Sequence, residues 1–128
     1  MAWDANLELN TPAYDFAIAP ARTIRVLAGP GTGKSFGLQK RVARLLEEGV
    51  DPRRILVVTF TRTAAQDLRD SILAVGVKGS DKIVAKTLHS FCFSLLNKQE
   101  IIESTGRFPR PMLDHELKPM LYDLGEEF

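Results

Sequence analysis

The chain has 128 residues, 45% hydrophobic and 26% charged, with a formal net charge of +1. That size supports one domain with one modest core. A charge so close to zero argues against an all-over basic protein wrapped in nucleic acid, though it leaves room for a local basic groove. One cysteine, Cys92, excludes an intramolecular disulfide, and with only two histidines a structural zinc site is disfavoured as well. No apolar run reaches the roughly 18 residues that a bilayer requires. The opening Met1-Ala2-Trp3-Asp4 lacks the basic patch and apolar stretch of a secretory signal. These features predict a cytoplasmic protein with no membrane partner.

In chain order, Thr11-Pro12 opens a short helix reaching Ile18. Thr23-Ile24-Arg25-Val26-Leu27 is a β-branched run ending at Ala28-Gly29 and reads as a first strand. From about Gly33 to Glu48 the pattern is helical. Leu38, Val42, Leu45 and Leu46 form the apolar stripe, Lys40, Arg41 and Arg44 lie on other faces, and Gly49 is the stop. Ile55-Leu56-Val57-Val58-Thr59 is the clearest strand, apolar enough to be covered on both faces. Arg62 to Leu73 is helical again, with Ala65, Leu68 and Ile72 on one stripe and Gly76 beyond the end. A third strand is expected at Ile83-Val84-Ala85-Lys86-Thr87, followed by a helix from His89 to about Lys98. Gly106 to Pro111 reads as a connector, and Asp114 as the cap of a helix running to about Leu124.

Strand–helix alternation of this kind predicts an α/β fold, a parallel sheet flanked by helices. The loop between the first strand and its helix, Ala28-Gly29-Pro30-Gly31-Thr32-Gly33-Lys34-Ser35, fits the Walker A pattern with alanine in the first position. The glycines, Gly31 and Gly33 above all, let backbone N–H groups turn inward. Those groups and the following helix N-terminus can hold phosphates. Lys34 reaches the outer phosphates and is the candidate catalytic residue, while the Ser35 hydroxyl sits where Mg²⁺ is held. The competing reading is a glycine-rich turn carrying a surface lysine.

In open parallel sheets, ligands bind beyond the carboxyl ends of the strands. Here the second strand ends in Thr59-Phe60-Thr61-Arg62-Thr63 and the third in Thr87-Leu88-His89-Ser90. Hydroxyls and helix N-termini suit phosphate oxygens, and a ring such as Phe60 can stack on a base. Together they read as a track for a single strand of nucleic acid. The plainer alternatives are that Thr61 or Thr63, and Thr87, cap helices, that Phe60 is core and that His89 bonds locally. Cys92 reads as a small buried hydrophobe rather than a nucleophile.

Three segments occur in an order that resembles the N-terminal end of superfamily 1 DNA helicases of the UvrD/Rep type: VLAGPGTGKS (26–35), ILVVTFTRTAAQDLRDSI (55–72) and KTLHSFCFSLL (86–96). The resemblance covers about Leu9 to Leu96. It implies a P-loop NTPase, RecA-like partial domain over residues 1–105, with 106–128 as a connector and helix leading towards an inserted or missing subdomain. The first segment is then the ATP–Mg²⁺ site. The second assigns Phe60, Thr61 and Arg62 to single-stranded DNA, with Thr59 at the base of the track, and the third adds Thr87, His89 and Ser90. The implied partners are single-stranded DNA and the remaining helicase domains, and the implied activity is ATP-driven translocation and duplex separation.

The chain departs from that pattern in places. The stretch Leu9-Asn10-Thr11-Pro12-Ala13-Tyr14-Asp15 has no glutamine where the family places one to read the adenine edge. Phe36 stands where many members carry arginine, and Thr63 replaces a common lysine. There is no apolar strand ending in paired acids, and no arginine finger. Met112-Leu113-Asp114-His115-Glu116 follows Pro111 and reads as a helix cap. The 128 residues alone are therefore expected to bind nucleotide weakly and to lack catalysis. Two other readings remain open, a non-enzymatic single-stranded-DNA-binding module and a small P-loop phosphotransferase.

Overall fold

The computed structural model describes residues 2–30 and 33–125, so Gly31 and Thr32 of the phosphate loop lie outside the described residues. The chain divides into two compact units, Met1–Phe91 and Cys92–Phe128.

The first unit is built on α1 (Pro12–Ile18), α2 (Lys34–Glu47), β1 (Leu56–Thr59), α3 (Arg62–Val75) and β2 (Val84–Thr87). Helix α4 (Leu88–Leu96) follows β2 directly and runs into the second unit. Local chemistry sets the ends. Thr11 caps α1 by accepting from the Tyr14 N–H, with Pro12 supplying the fixed φ of a first helical residue. Thr61 caps α3 by accepting from the Ala64 N–H at 3.1 Å. Gly76 closes α3 in the left-handed conformation at φ 75°, and Gly49, at φ 89°, follows the last turn of α2.

β1 and β2 pair in parallel, with Leu56 opposite Val84 and Thr59 opposite Thr87. The core is where α2 and α3 meet this sheet: Val42, Ala43 and Leu46 from α2, Leu68, Ile72 and Val75 from α3, Val57 from β1, with Val77 and Ile83 closing it. The fold is thus a mixed α/β one, a small parallel sheet flanked by helices, as the alternation predicts.

Two expectations about strands are corrected. The run 23–27 forms no strand, and Val26 and Leu27 are exposed. A strand exists only through hydrogen bonds to a neighbour. Val26 and Val58 border one cavity of about 430 Å³, and the sheet of β1 and β2 does not include the run. The second correction concerns β1, which is covered on one side only. Val57 is buried while Leu56 and Val58, which alternate with it, remain more than two-fifths exposed.

The cations of α2 hold the N-terminal region. Arg41 donates through Nη1 to the carbonyls of Phe16 and Ala19, both at 2.9 Å, and Arg44 donates through Nε to that of Ala17 at 2.7 Å. The last carbonyls of a helix lack intrahelical donors, and guanidinium groups supply them here, at the end of the helix dipole that favours positive charge. Lys40 is buried. Its ammonium donates to the Ala5 carbonyl and lies 5.2 Å from the centre of the Phe36 ring. Burial pushes its pKa down, and the charge of Asp4 partly opposes that shift. Trp3 stacks with Tyr14 at 6.4 Å, completing the attachment.

Gly37 lets α1 approach α2. A Cβ at Gly37 would come within 2.9 Å of Phe16 Cδ1. Gly37→Ala should therefore destabilise the unit by about 1–2 kcal/mol, the overpacking cost exceeding the gain in helix propensity of roughly 1 kcal/mol. A denaturant titration checks this. An unchanged or higher midpoint would mean that Phe16 swings aside freely.

The second unit contains the rest of α4, then α5 (Gln99–Thr105) and α6 (Asp114–Asp123). α5 is an addition to the elements expected from sequence, and Gly106 ends it at φ 67°. Asp114 proves to be the first helical residue of α6 rather than its cap, which is Leu113. The Leu113 N–H donates to Glu116 at 2.9 Å, and Arg110 grips the same carboxylate through both terminal nitrogens at 2.9 and 2.6 Å. That pairing holds the Glu116 pKa down at about 2, first through the Arg110 hydrogen bonds and then through the backbone one. Cys92, expected to be buried, is exposed. Its helix carries no buried residue, so the position has no core to enter.

Candidate nucleotide and nucleic-acid site

The site lies in the first unit, around the start of α2. Gly33 caps that helix at φ 78°, a left-handed conformation that side chains with a Cβ adopt only with strain. From this turn the chain enters α2 at Lys34, and the Gly37 N–H donates to the Gly33 carbonyl as the first helical bond. The N–H groups of Lys34, Ser35 and Phe36 therefore have no intrahelical acceptor and project from a positive dipole end. Ala28, Gly29, Pro30, Gly33, Lys34 and Ser35 are all exposed, as an anion-binding turn requires.

Two cavities flank Lys34. The larger is the one between the 23–27 run and β1, and it brings Lys34, Ser35, Thr59, Asp67 and Ser71 to a common wall. The smaller, about 270 Å³, lies between α1 and the loop, with Ala13, Phe16, Ala28, Gly29 and Lys34 around it. Sequence reasoning missed Asp67 and Ser71 because they sit in the second and third turns of α3, where their polarity reads as a solvated face. It missed Ala13 and Phe16 because nothing in their chemistry marks them. Among the described residues no group of three or more His, Cys, Asp or Glu side chains could hold a metal ion.

The register Thr59↔Thr87 sets the ends of β1 and β2 side by side, at a strand spacing of roughly 4.8 Å. This brings the two proposed nucleic-acid segments together. Thr59 Oγ1 donates to the Thr61 carbonyl at 2.9 Å, fixing the turn into α3. Thr87 Oγ1 accepts from the Ser90 N–H at 3.1 Å at the start of α4. The capping roles weighed for Thr61 and Thr87 are thus realised, which leaves a hydroxyl able to donate outward. Phe60 is 84% exposed, which rules out the core reading. Arg62, His89 and Ser90 are exposed as well. A ring, a guanidinium, an imidazole and hydroxyls therefore line one end of the sheet.

A parallel sheet with a glycine turn feeding a flanking helix is the arrangement of a partial RecA-like domain. The model of the UvrD/REP helicase N-terminal domain matches residues 9–116, and the chain belongs to that family. It is 41% identical over 126 residues, 94% of its length, to the ATP-dependent DNA helicase SRS2 of Saccharomyces cerevisiae. It is also 36% identical over 74 residues, 57% of its length, to the ATP-dependent DNA helicase PcrA of Bacillus subtilis. A probable DNA helicase II homolog of Mycoplasma capricolum is 34% identical over 76 residues, 59% of the chain. The chain spans 10–11% of the length of these relatives. Among the described residues no helix is long and apolar enough to cross a membrane.

Proposed function

We propose that these residues are the nucleotide-gripping and first DNA-contacting part of an ATP-dependent DNA helicase. The observation that carries this reading is the meeting of two features at one end of one sheet. The exposed glycine turn with Lys34 and Ser35 lies beside a cavity whose far wall includes Thr59, the residue from which the Phe60–Arg62 segment departs. In the proposed arrangement the turn amides and Lys34 hold the triphosphate, and Ser35 helps to hold Mg²⁺. Phe60 stacks on a base, while Thr61, Arg62, Thr87, His89 and Ser90 contact the strand's phosphates. Nucleotide state can then move the DNA track through α2, β1 and α3, which share one core.

In the whole protein, remaining helicase domains supply the groups that activate water and stabilise the transition state. The 128 residues by themselves bind nucleotide weakly and turn it over near background. A steady-state ATPase assay with and without single-stranded DNA tests this division of labour, and DNA-stimulated turnover by the 128 residues alone would overturn it. The exposed ring at Phe60 also supports a second, narrower reading, a DNA-binding module without turnover.

Both readings place Phe60 on DNA. Phe60→Ala should weaken single-stranded DNA binding by about 5- to 150-fold, the range that corresponds to loss of one stacked base, with nucleotide affinity little changed. Fluorescence anisotropy with a labelled oligonucleotide over a salt series measures it. Loss of nucleotide affinity with DNA binding intact would remove Phe60 from the track.

A further inference from the structure

Two helices open on the two parts of the proposed site. α2 begins at Lys34, at the phosphate turn, and α3 begins at Arg62, on the segment that carries Phe60. Most of what holds them together is apolar: Val42 and Leu46 of α2 share one core with Leu68, Ile72 and Val75 of α3. Apolar contact is non-directional, so it joins two helices without fixing how far one has slid along the other. One polar contact does fix that. Gln39 Nε2 donates to the Ser71 carbonyl at 2.9 Å in a partly buried position, and among the described residues it is the side-chain hydrogen bond that joins α2 to α3. The carbonyl has two lone pairs, so the bond adds to the helix ladder without displacing it. The Ser71 hydroxyl is turned back to the Asp67 carbonyl at 2.7 Å, so Gln39 grips the main chain of α3 rather than a side chain free to rotate. Arg41 and Arg44 tie α2 to α1 instead. Along the helix axes, Gln39 stands about 6 Å from Ser35 and Ser71 about 13–14 Å from Arg62.

Resting on the helicase reading above, we infer that Gln39 is a positioning residue: through its bond to Ser71, occupancy of the phosphate turn changes the grip of the Phe60–Arg62 segment on single-stranded DNA. Phosphates drawn against the first turn of α2 displace that helix. An apolar interface by itself absorbs such a displacement by sliding, as packed helices do in shear motions. The Gln39 bond passes it to α3, whose start carries Arg62 and the Thr61 cap. The effect is reciprocal, so DNA on the track changes nucleotide affinity by the same factor.

Fluorescence anisotropy of the 128-residue chain with a labelled single-stranded oligonucleotide, without and with saturating ATP–Mg²⁺, measures the coupling. In the parent chain, nucleotide should change DNA affinity by at least about fivefold, the lower end of the range for coupled sites. Gln39→Met keeps the length and helix preference of the side chain and removes its donor. It should leave a coupling factor of no more than about twofold, with affinity for each ligand alone within about threefold of the parent. Gln39→Lys restores a donor at similar reach and should recover most of the coupling. Full coupling in Gln39→Met would overturn the inference, because the bond would then be structural only. So would Gln39→Lys as uncoupled as Gln39→Met, because the donor would not be what matters. Ligands that bind the parent chain independently of each other would also overturn it, with the helicase reading left standing. A parent chain that fails to bind one or both ligands would overturn the helicase reading as well.

Discussion

Lys34→Ala is expected to abolish measurable nucleotide binding while leaving the fold intact. Lys34 is the first residue of α2, is exposed, and borders both cavities at the turn. The ion pairs found among the described residues, Arg44 with Glu48 and Arg110 with Glu116, do not involve it. Among the described residues no side-chain hydrogen bond or ion pair goes with its removal, so its ammonium is available to a polyanion. A hydrogen bond between charged partners contributes about 1.5–3 kcal/mol, and a lysine that meets two phosphates makes more than one such contact, so a loss of at least about a hundredfold is expected. The fold should change by no more than roughly 0.5 kcal/mol, the usual size for an exposed substitution. Calorimetry with ATP–Mg²⁺ and a denaturant curve on the same preparation measure both. Wild-type affinity in the variant would refute the assignment of the loop.

Ile72→Ala should be the most damaging single change to the fold of the first unit. Ile72 is 1% exposed and is the largest fully buried side chain among the described residues. It lies on α3 among Val42, Leu46, Val57 and Leu68, where α2 and the sheet converge. Truncation removes three carbons from a site walled by two helices and a strand, and a cavity of that kind costs about 2–5 kcal/mol. Whole domains are stable by only about 5–15 kcal/mol, so a large share of the folded population is at stake. The urea midpoint reports it. A midpoint within error of the parent would show that the helices close over the gap.

Most helices are legible in the sequence because they carry their own signals. α2 and α3 have apolar stripes at helical spacing, and α1 and α3 open on threonines that do cap them. α5 gave no such stripe. It has two adjacent isoleucines in seven residues and no buried side chain, so periodicity had nothing to register. Strands are legible only in part, since a strand also needs a neighbour. β1 and β2 found each other, whereas the run 23–27, with equally β-branched chemistry, did not.

The candidate site divides the same way. The phosphate loop is written in consecutive residues, and so are Phe60–Arg62 and Thr87–Ser90. The walls are not. Ala13 and Phe16 reach the loop only because Arg41 and Arg44 collect the carbonyls at the end of α1, and the sequence shows those cations simply as residues off the apolar stripe. A clue was available. α1 has no basic residue in its last turn and no glycine closing it, so its final carbonyls had to find donors elsewhere.

The central claim is that backbone amides at the start of α2, with Lys34 beside them, close on a triphosphate. Titration of the ¹⁵N-labelled chain with ATP–Mg²⁺, followed by amide NMR, tests it residue by residue. The resonances of Gly29, Gly33, Lys34 and Ser35 should move furthest and in step with occupancy, and those of α6 should stay in place. Shifts confined to other parts of the chain, or no shift at the turn when nucleotide is in excess, would contradict the account.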